Sequence, residues 1–159
     1  MSSLTRLVVQ AVFEERYWYP DDGGQVWIAG YTPVDPGSGR YLGRDAPELT
    51  ALGLRVAGVA GAARHHGEAL AADAAAPGEP LELRRDPGNE HDPNAIAVLA
   101  AGEQVGWVPR ELAEELAGEL DAGRPWSAIV LREQRLSPRD PRYGLTMLLA
   151  PGSGIELRA

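Results

Sequence analysis

The stretch LRRDPGNEHDPNAIAVLAAGEQVGWVPRELAEEL, residues 83–116, decides the fold of this chain. It continues the segment EPLELRR (79–85), whose alternation of apolar and charged side chains predicts a half-buried strand. The turn DPGN (86–89) has at its centre the Pro-Gly pair that favours a type II turn. NAIAVLA (94–100) and QVGWV (104–108) then predict two strands joined by a tight connection, and therefore a β-hairpin.

The same stretch ends in the clearest helix signal of the sequence, over Arg110–Asp121. Pro109 suits the start of a helix, and Gly123 stands where a glycine commonly ends one. The apolar side chains of this segment fall on one stripe of a helix, and its four glutamates face away from it. The stripe consists of Leu112, Ala113, Leu116, Ala117 and Leu120.

Outside this stretch, turn signals separate further short strands. Two N-terminal strands flank PDDGGQ (20–25), which predicts a β-hairpin. One helical turn is expected at 46–53, and the alanine-rich segment 68–77 is expected to form a short helix or a loop. Six or more strands and one clear helix make the protein mainly β, of the α+β class, as a small barrel or sandwich. The strands are predicted at 4–13, 26–32, 54–61, 79–85, 94–100, 104–108, 125–133 and 143–149.

Composition limits the class of protein. The chain has 159 residues, of which 44% are hydrophobic, and this fits one domain with a buried core. Its net charge is −8, and the acidic excess is spread along the sequence rather than gathered in one segment. A broad basic face that coats duplex DNA is therefore not expected, although a small site for one nucleic-acid end is compatible with this charge.

No targeting or membrane segment is evident. The apolar run 7–13 is interrupted by Gln10 and passes directly into Glu14, and no small-residue cleavage site follows it. No run approaches the ~20 apolar residues of a membrane span. With no cysteine in the chain, we expect a cytoplasmic protein without disulfides.

The sequence offers no constellation for catalysis. Its histidines are His65, His66 and His91, and the first two are adjacent, so that on a strand they would point to opposite sides. His91 with Asp92 could serve as a base and its orienting carboxylate, but no nucleophile motif accompanies them. We therefore expect no enzyme activity, no metal site and no cofactor.

The stretch 83–116 resembles the HIRAN domain family. That family has an arginine near a strand end, then Pro, Asn, Asp and Asn-Ala-Ile, then Val-Gly with an aromatic residue or histidine, then Pro and a helix. The resemblance implies an OB-like β-barrel of about six strands over residues 54–150. It does not explain the residues before this region, where we predict an N-terminal β-hairpin extension (1–53), and a C-terminal tail (151–159) is expected to follow. The matching residues are Arg84 or Arg85, Pro87, Asn89, Asp92, Asn94, Ala95, Ile96, Val98, Val105, Gly106, Trp107, Pro109, Leu112 and Ala113.

The resemblance also implies a function. Some members are fused to Swi/Snf-type ATPases and nucleases, and in one fork-remodelling member the domain holds the 3′ end of single-stranded DNA. Asp92 stands at the acidic position of the family, where a carboxylate accepts a hydrogen bond from a 3′-hydroxyl and repels a phosphate. Aromatic side chains would stack bases and arginines would hold phosphates. The predicted DNA-binding residues are Arg64, Arg85, His91, Asp92, Asn94, Trp107, Arg132 and Arg135.

Alternatives remain open at this site. Asp92 and Asn94 could instead brace the loop by bonding nearby backbone amides. Trp107 could be a cleft wall rather than a stacking platform, and the arginines of 124–142 could be a solvated loop. The first core strand continues as VAGA (59–62), where the DNA-binding member has an arginine and aromatic residues, so we expect weak binding.

An adaptor that binds another protein is the alternative function on the same scaffold. Aromatic side chains in acidic surroundings suit a protein partner better than phosphates. The contact would be made by the N-terminal hairpin, which carries Tyr17, Trp18, Tyr19, Trp27 and Tyr31. The sequence leaves the true ligand, the pathway and the oligomeric state open.

Overall fold

The computed structural model describes residues 6–18, 26–61, 75–135 and 144–158. This part of the chain is mainly β, as the sequence predicts, with nine strands and two helices. Helix α1 (Pro47–Ala51) lies between β2 and β3, and α2 (Arg110–Asp121) lies between β6 and β7. The strands are β1 (Arg6–Trp18), β2 (Val26–Pro33), β3 (Arg55–Gly58), β4 (Pro80–Arg85), β5 (Ile96–Ala100), β6 (Glu103–Trp107), β7 (Trp126–Arg135), β8 (Gly144–Pro151) and β9 (Gly154–Arg158).

The long strand β7 organises a mixed sheet. The strands run in the order β6-β5-β4-β7-β2-β1-β9, while β8 pairs with β7 and β3 pairs with β8. One edge of β7 thus pairs with β4 near its start and with β2 near its end, and the other edge pairs with β8. All these pairings are antiparallel except that of β1 with β9, which is parallel.

The two faces of this sheet bury separate apolar clusters, because successive side chains of a strand point to opposite sides. On β7, Val130 belongs to the first cluster, whereas Ile129 and Leu131 belong to the second. The first cluster includes Ile96, Val98, Val105, Leu116, Met147 and Leu149 and is covered by α2. The second includes Val9, Leu42, Leu49, Leu54 and Leu148, with Leu7, Ile155 and Leu157 packed against it.

The described residues form the expected N-terminal hairpin, but its first strand runs beyond the expected end at Phe13 to Trp18. Strand β1 pairs with β2 from Ala11 opposite Pro33 to Trp18 opposite Val26, and β2 then pairs with β7. The hairpin is therefore part of the main sheet. The expected C-terminal tail differs, because Gly154–Arg158 forms β9 beside β1. The alternating Ile155 and Leu157 give this segment an apolar side, and both pack against the second cluster.

The described pairings do not close the sheet into a barrel. Beyond β3, Ala60 forms an isolated bridge with Trp107 of β6, and this one residue pair is the described link between the two ends of the strand path. The OB-like barrel and the domain boundaries therefore stay predictions. The helix expected at 68–77 lies largely outside the described residues.

The helix predicted over Arg110–Asp121 is confirmed with these bounds as α2. Pro109 is its N-cap, and the φ of +80° at Gly123 ends it in the conformation that glycine adopts most readily. Ala113, Leu116 and Ala117 are buried, and the helix thereby closes one side of the first cluster. No helix in the described part of the chain is long and apolar enough to span a membrane.

Replacement of Leu116 tests this packing. The side chain is 0% exposed, and Leu116→Ala should lower the free energy of unfolding by ~2–5 kcal/mol in urea titrations, because it leaves a cavity under α2. Leu52→Ala is the matched control, since Leu52 is 54% exposed, and it should change stability by less than ~0.5 kcal/mol. Equal effects of the two substitutions would contradict the described core.

Candidate nucleic-acid interface

The loop between β4 and β5 is held by the side chain of Asn89. Asn89 Oδ1 accepts hydrogen bonds from the backbone N–H groups of His91 at 2.9 Å and Asp92 at 3.1 Å. Its Nδ2 donates to Asp86 Oδ2 at 3.2 Å. Asp92 Oδ1 in turn accepts from the backbone N–H of Asn94 at 2.9 Å. These bonds satisfy the backbone of the turn and fix where His91 and Asp92 stand.

Arg85 ties this loop to helix α2. Its Nη1 donates to the carbonyl oxygen of Ala95 at 2.8 Å, and its Nη2 donates to that of Pro93 at 3.0 Å. Its Nε bonds Asp121 Oδ1 at 2.9 Å, and this hydrogen bond holds the pKa of the Asp121 carboxyl below its ordinary value. With its side chain 15% exposed, Arg85 is largely taken up by contacts within the protein.

The backbone of Ala60 lies against β6 and forms the other side of the site. Ala60 N–H donates to the carbonyl of Trp107 at 2.8 Å, and Trp107 N–H donates to that of Ala60 at 2.9 Å. Gly106 permits this approach, since a Cβ on it would lie 2.5 Å from the Ala60 oxygen and 2.6 Å from Val59 Cγ1. The glycine of the Val-Gly-Trp motif is therefore required by close packing of two backbones.

A cleft of about 300 Å³ opens between the braced loop and this bridge. Its apolar part is formed by Ala60, Ala95 and Val108. Around them stand an amide, an imidazole, a carboxylate, an indole and a guanidinium. These belong to Asn89, His91, Asp92, Trp107 and Arg110.

The charges of the cleft are few and mixed. Asp92 is half-buried, and its Oδ1 accepts the hydrogen bond from the Asn94 amide. Its Oδ2 has no hydrogen-bond partner in the described part of the chain, so this oxygen can accept a bond from a ligand. Arg110 is exposed and begins α2, whose N-terminus has no side-chain cap. Since a helix N-terminus carries partial positive charge, this side of the cleft favours an anion, while Asp92 favours a hydrogen-bond donor.

Three of the predicted DNA-binding residues meet in this cleft, namely His91, Asp92 and Trp107. Asn94 is half-buried beside it without lining it, and Arg85 supports the loop from behind. Arg132 lies at a different pocket. Arg64 and the side chain of Arg135 lie outside the described residues.

Two residues of the site were missed by sequence reasoning. Arg110 lines the cleft, and it begins the predicted helix three residues after Trp107. A cation in the first turn of a helix next to the motif could have identified it from the sequence. Asn89 matched the family pattern, but bracing of the loop was considered only for Asp92 and Asn94. In the described part of the chain the side chain of Asn94 makes no hydrogen bond, so the brace consists of Asn89 and Asp92.

No group of three or more histidine, cysteine, aspartate and glutamate side chains is placed to hold a metal ion among the described residues.

Some aromatic side chains of the N-terminal hairpin pack against the protein itself. Trp27 is 8% exposed and its indole donates to Glu15 Oε1 at 3.0 Å. Tyr31 meets Phe13 edge to face at 5.3 Å, whereas Tyr17 is exposed. The side chains of Trp18 and Tyr19 lie outside the described residues.

Comparisons with known proteins identify one family. A family model for the HIRAN domain matches residues 52–140, which is more than half of the 159-residue chain. A Fanconi-associated nuclease 1 homolog of Oryza sativa subsp. japonica is 50% identical over 48 residues, 28% of this chain. The matched segment spans 5% of that relative.

Two solved structures are similar. The crystal structure of the HIRAN domain of human HLTF matches with a TM-score of 0.50 and 26% identity, and it covers 64% of this chain and 78% of that one. A protein from Lactobacillus plantarum matches with a TM-score of 0.44 and 23% identity, over 60% of this chain and 91% of that one.

The brace can be tested by exchanging two asparagines of the same loop. Asn89→Ala removes three hydrogen bonds and should cost roughly 1–3 kcal/mol in urea unfolding. Asn94→Ala removes no described side-chain hydrogen bond and should change stability by less than ~0.5 kcal/mol. A larger loss in Asn94→Ala than in Asn89→Ala would reverse the assignment of the brace.

Proposed function

The chain belongs to the HIRAN family, whose domains generally bind DNA, and we propose that its cleft binds the 3′ end of single-stranded DNA. One observation carries this proposal, which is that Asp92, His91, Trp107 and Arg110 line the same cleft. An aromatic face, a hydrogen-bond acceptor and a cation are the parts of a binding site for a nucleotide end. We therefore propose a binding module rather than an enzyme.

Each group has a distinct task in this proposal. The indole of Trp107 stacks on the terminal base, a contact typically worth ~1–3 kcal/mol. The free oxygen of Asp92 accepts the hydrogen of the 3′-hydroxyl, and its charge repels a strand that continues or ends in phosphate. Arg110 and the uncapped start of α2 hold a neighbouring phosphate. His91 is exposed at the rim and offers a second, smaller ring.

Weak binding follows from what surrounds these groups. The chain has a net charge of −8, and Arg110 is the cation that lines the cleft within the described residues. Ala60 stands in the segment where the sequence departs from the DNA-binding pattern, and it offers a methyl group in place of a ring. With few phosphates contacted, affinity should fall only gently as salt rises.

The expected OB-like barrel belongs to the same proposal. The bridge from Ala60 to Trp107 stands between the first and last strands of the path β6-β5-β4-β7-β8-β3. If further pairing there closes the barrel, the cleft lies where its first and last strands meet.

The expected cytoplasmic location also stays a prediction.

The test compares short 5′-labelled single strands that end in a 3′-hydroxyl or a 3′-phosphate, measured by fluorescence anisotropy at low salt. The wild-type protein should prefer the hydroxyl. Asp92→Asn keeps an oxygen for the Asn94 amide and loses the charge, so it should bind both ends alike. Trp107→Ala should weaken both strands by roughly five- to a hundredfold.

Glu90→Gln is the matched control, because Glu90 is exposed in the same loop and does not line the cleft. It should retain the preference of the wild-type protein. Equal binding of the two ends by the wild-type protein would contradict end recognition.

A protein adaptor is the second candidate, and the exposed aromatic residues of β1 favour it. Phe13 and Tyr17 are 52% and 46% exposed and lie four residues apart, on one face of the strand. Their cross-strand partners are Tyr31 and Trp27, so that one side of the hairpin is aromatic. If the wild-type protein binds neither type of strand, this surface becomes the leading site.

A further inference from the structure

A second pocket of about 390 Å³ lies between the N-terminal hairpin, the loop before α1 and strand β7. Three arginines line it, and they come from three separate parts of the chain. Arg16 lies on β1, Arg44 lies in the loop before α1, and Arg132 lies on β7. Two of the three precede residue 52, where the match to the HIRAN family begins.

A β-bulge directs Arg132 into this pocket. The pairing of β7 with β8 shifts between Val130 and Arg132, so that Leu131 is an additional residue. A bulge of this kind turns side chains that would otherwise alternate, and Leu131 and Arg132 both line the pocket. Gly30 faces the bulge from β2, and a Cβ there would lie 2.5 Å from Arg132 Cα.

The pocket concentrates positive charge in an acidic protein. The pKa of Arg132 is lowered, mainly by burial and then by the nearby charges of Arg16 and Arg44. Arg132 Nη1 donates to the carbonyl of Tyr31 at 3.0 Å, and no carboxylate pairs with any of the three guanidiniums in the described part of the chain. Tyr41, which also lines the pocket, has a hydrogen bond with Glu14, and this bond raises the pKa of the phenol.

Three cations held together without a paired acid repel one another, and an anion between them would relieve that repulsion. Guanidinium groups match phosphate oxygens in geometry as well as charge. The rest of the lining fits an organic ligand, because Thr32, Tyr41 and Gln134 add polar groups to apolar side chains. The apolar lining consists of Ile28, Pro33, Leu42, Val56 and Leu131.

We propose that this pocket binds the phosphate of a nucleotide, with the three arginines around the phosphate and the apolar lining against the sugar or base. The nucleotide has two possible sources, a free mononucleotide or a residue of a DNA strand held in the cleft. This site stands on its own contacts and does not require end recognition by Asp92.

The sheet places the two sites within reach of one strand. Every second residue of a strand faces the same side, so residues 56, 58 and 60 share one face. On this face Val56 lines the arginine pocket and Ala60 lines the cleft. Across the sheet, Gly58 pairs with Thr146, which pairs with Arg132. Two strand spacings and two residues of rise therefore separate the backbones at Arg132 and Ala60, roughly 12 Å.

The test is calorimetric titration of the full chain with thymidine 3′-monophosphate and with thymidine. The 3′-phosphate is the group that Asp92 is proposed to repel from the cleft, so this probe reports on the arginine pocket. The monophosphate should bind and thymidine should bind at least tenfold more weakly. Arg44→Gln should weaken the monophosphate by roughly ten- to a hundredfold, as expected for loss of a charged hydrogen bond. Arg124→Gln is the control of equal charge, because Arg124 pairs with Glu119 outside this pocket.

Further measurements locate the nucleotide and identify its source. Because Asp92 is proposed to exclude a 3′-phosphate from the cleft, Trp107→Ala should not weaken binding of the 3′-monophosphate, and a loss in Trp107→Ala equal to that in Arg44→Gln would place the nucleotide in the cleft and overturn the proposal. If Arg44→Gln also weakens single-stranded DNA while the preference for a 3′-hydroxyl persists, the strand is the source. If only the monophosphate weakens, the ligand is a free nucleotide.

A stability measurement separates a ligand site from a structural cluster. Without ligand, Arg44→Gln should leave the thermal midpoint unchanged or raise it, because it relieves repulsion. A lower midpoint in Arg44→Gln, or monophosphate binding no stronger than thymidine binding, would overturn the site.

Discussion

The pair of backbone hydrogen bonds between Ala60 and Trp107 is the contact on which the candidate interface depends. It brings the continuation of β3 against the end of β6, two segments that no other described strand pairing joins. The approach is possible because residue 106 has no side chain. Trp107 is thereby held at the end of β6, where it lines the cleft together with residues of the loop that Asn89 braces.

Strand β7 imposes the second constraint, because it serves both faces of the sheet. Its regular part divides its side chains between two apolar clusters, and its bulge then breaks the alternation and places Leu131 and Arg132 at one pocket. The N-terminal hairpin completes that pocket with Arg16. A chain with a net charge of −8 therefore keeps a local excess of positive charge where three segments meet. Charge averaged over the sequence conceals such a site, since it arises only from folding.

Local signals predicted most of the regular structure. The periodicity of α2, the alternation of β4 and the turn residues around β5 and β6 are properties of neighbouring residues, and the structure has these elements close to where they were expected. The segment of β9 is five residues long and was expected to be a tail. Its strand depends on pairing with β1, which is distant in sequence. The arginine pocket was hidden for the same reason, and only Arg132 of its three arginines was singled out.

The candidate site was predicted in part. His91, Asp92 and Trp107 were found because they stand in a motif of fixed spacing, and the cleft brings them together. The motif could not separate residues that face the cleft from residues that support it. Arg85 has the right residue type for a phosphate contact, yet its hydrogen bonds go to two loop carbonyls and Asp121. Asn89 and Asn94 have identical side chains, and hydrogen-bond geometry alone distinguishes the brace from its neighbour.

Hydrogen exchange of individual amides, followed by NMR, tests the central contact most directly. The N–H groups of Ala60 and Trp107 are bonded to each other's carbonyls. In the wild-type protein both should exchange as slowly as amides of the central sheet, such as that of Val130. In Gly106→Ala both should exchange much faster, because the added methyl group displaces Ala60. Rapid exchange of both amides in the wild-type protein would contradict the account, since the cleft would then lack the contact that holds its wall in place.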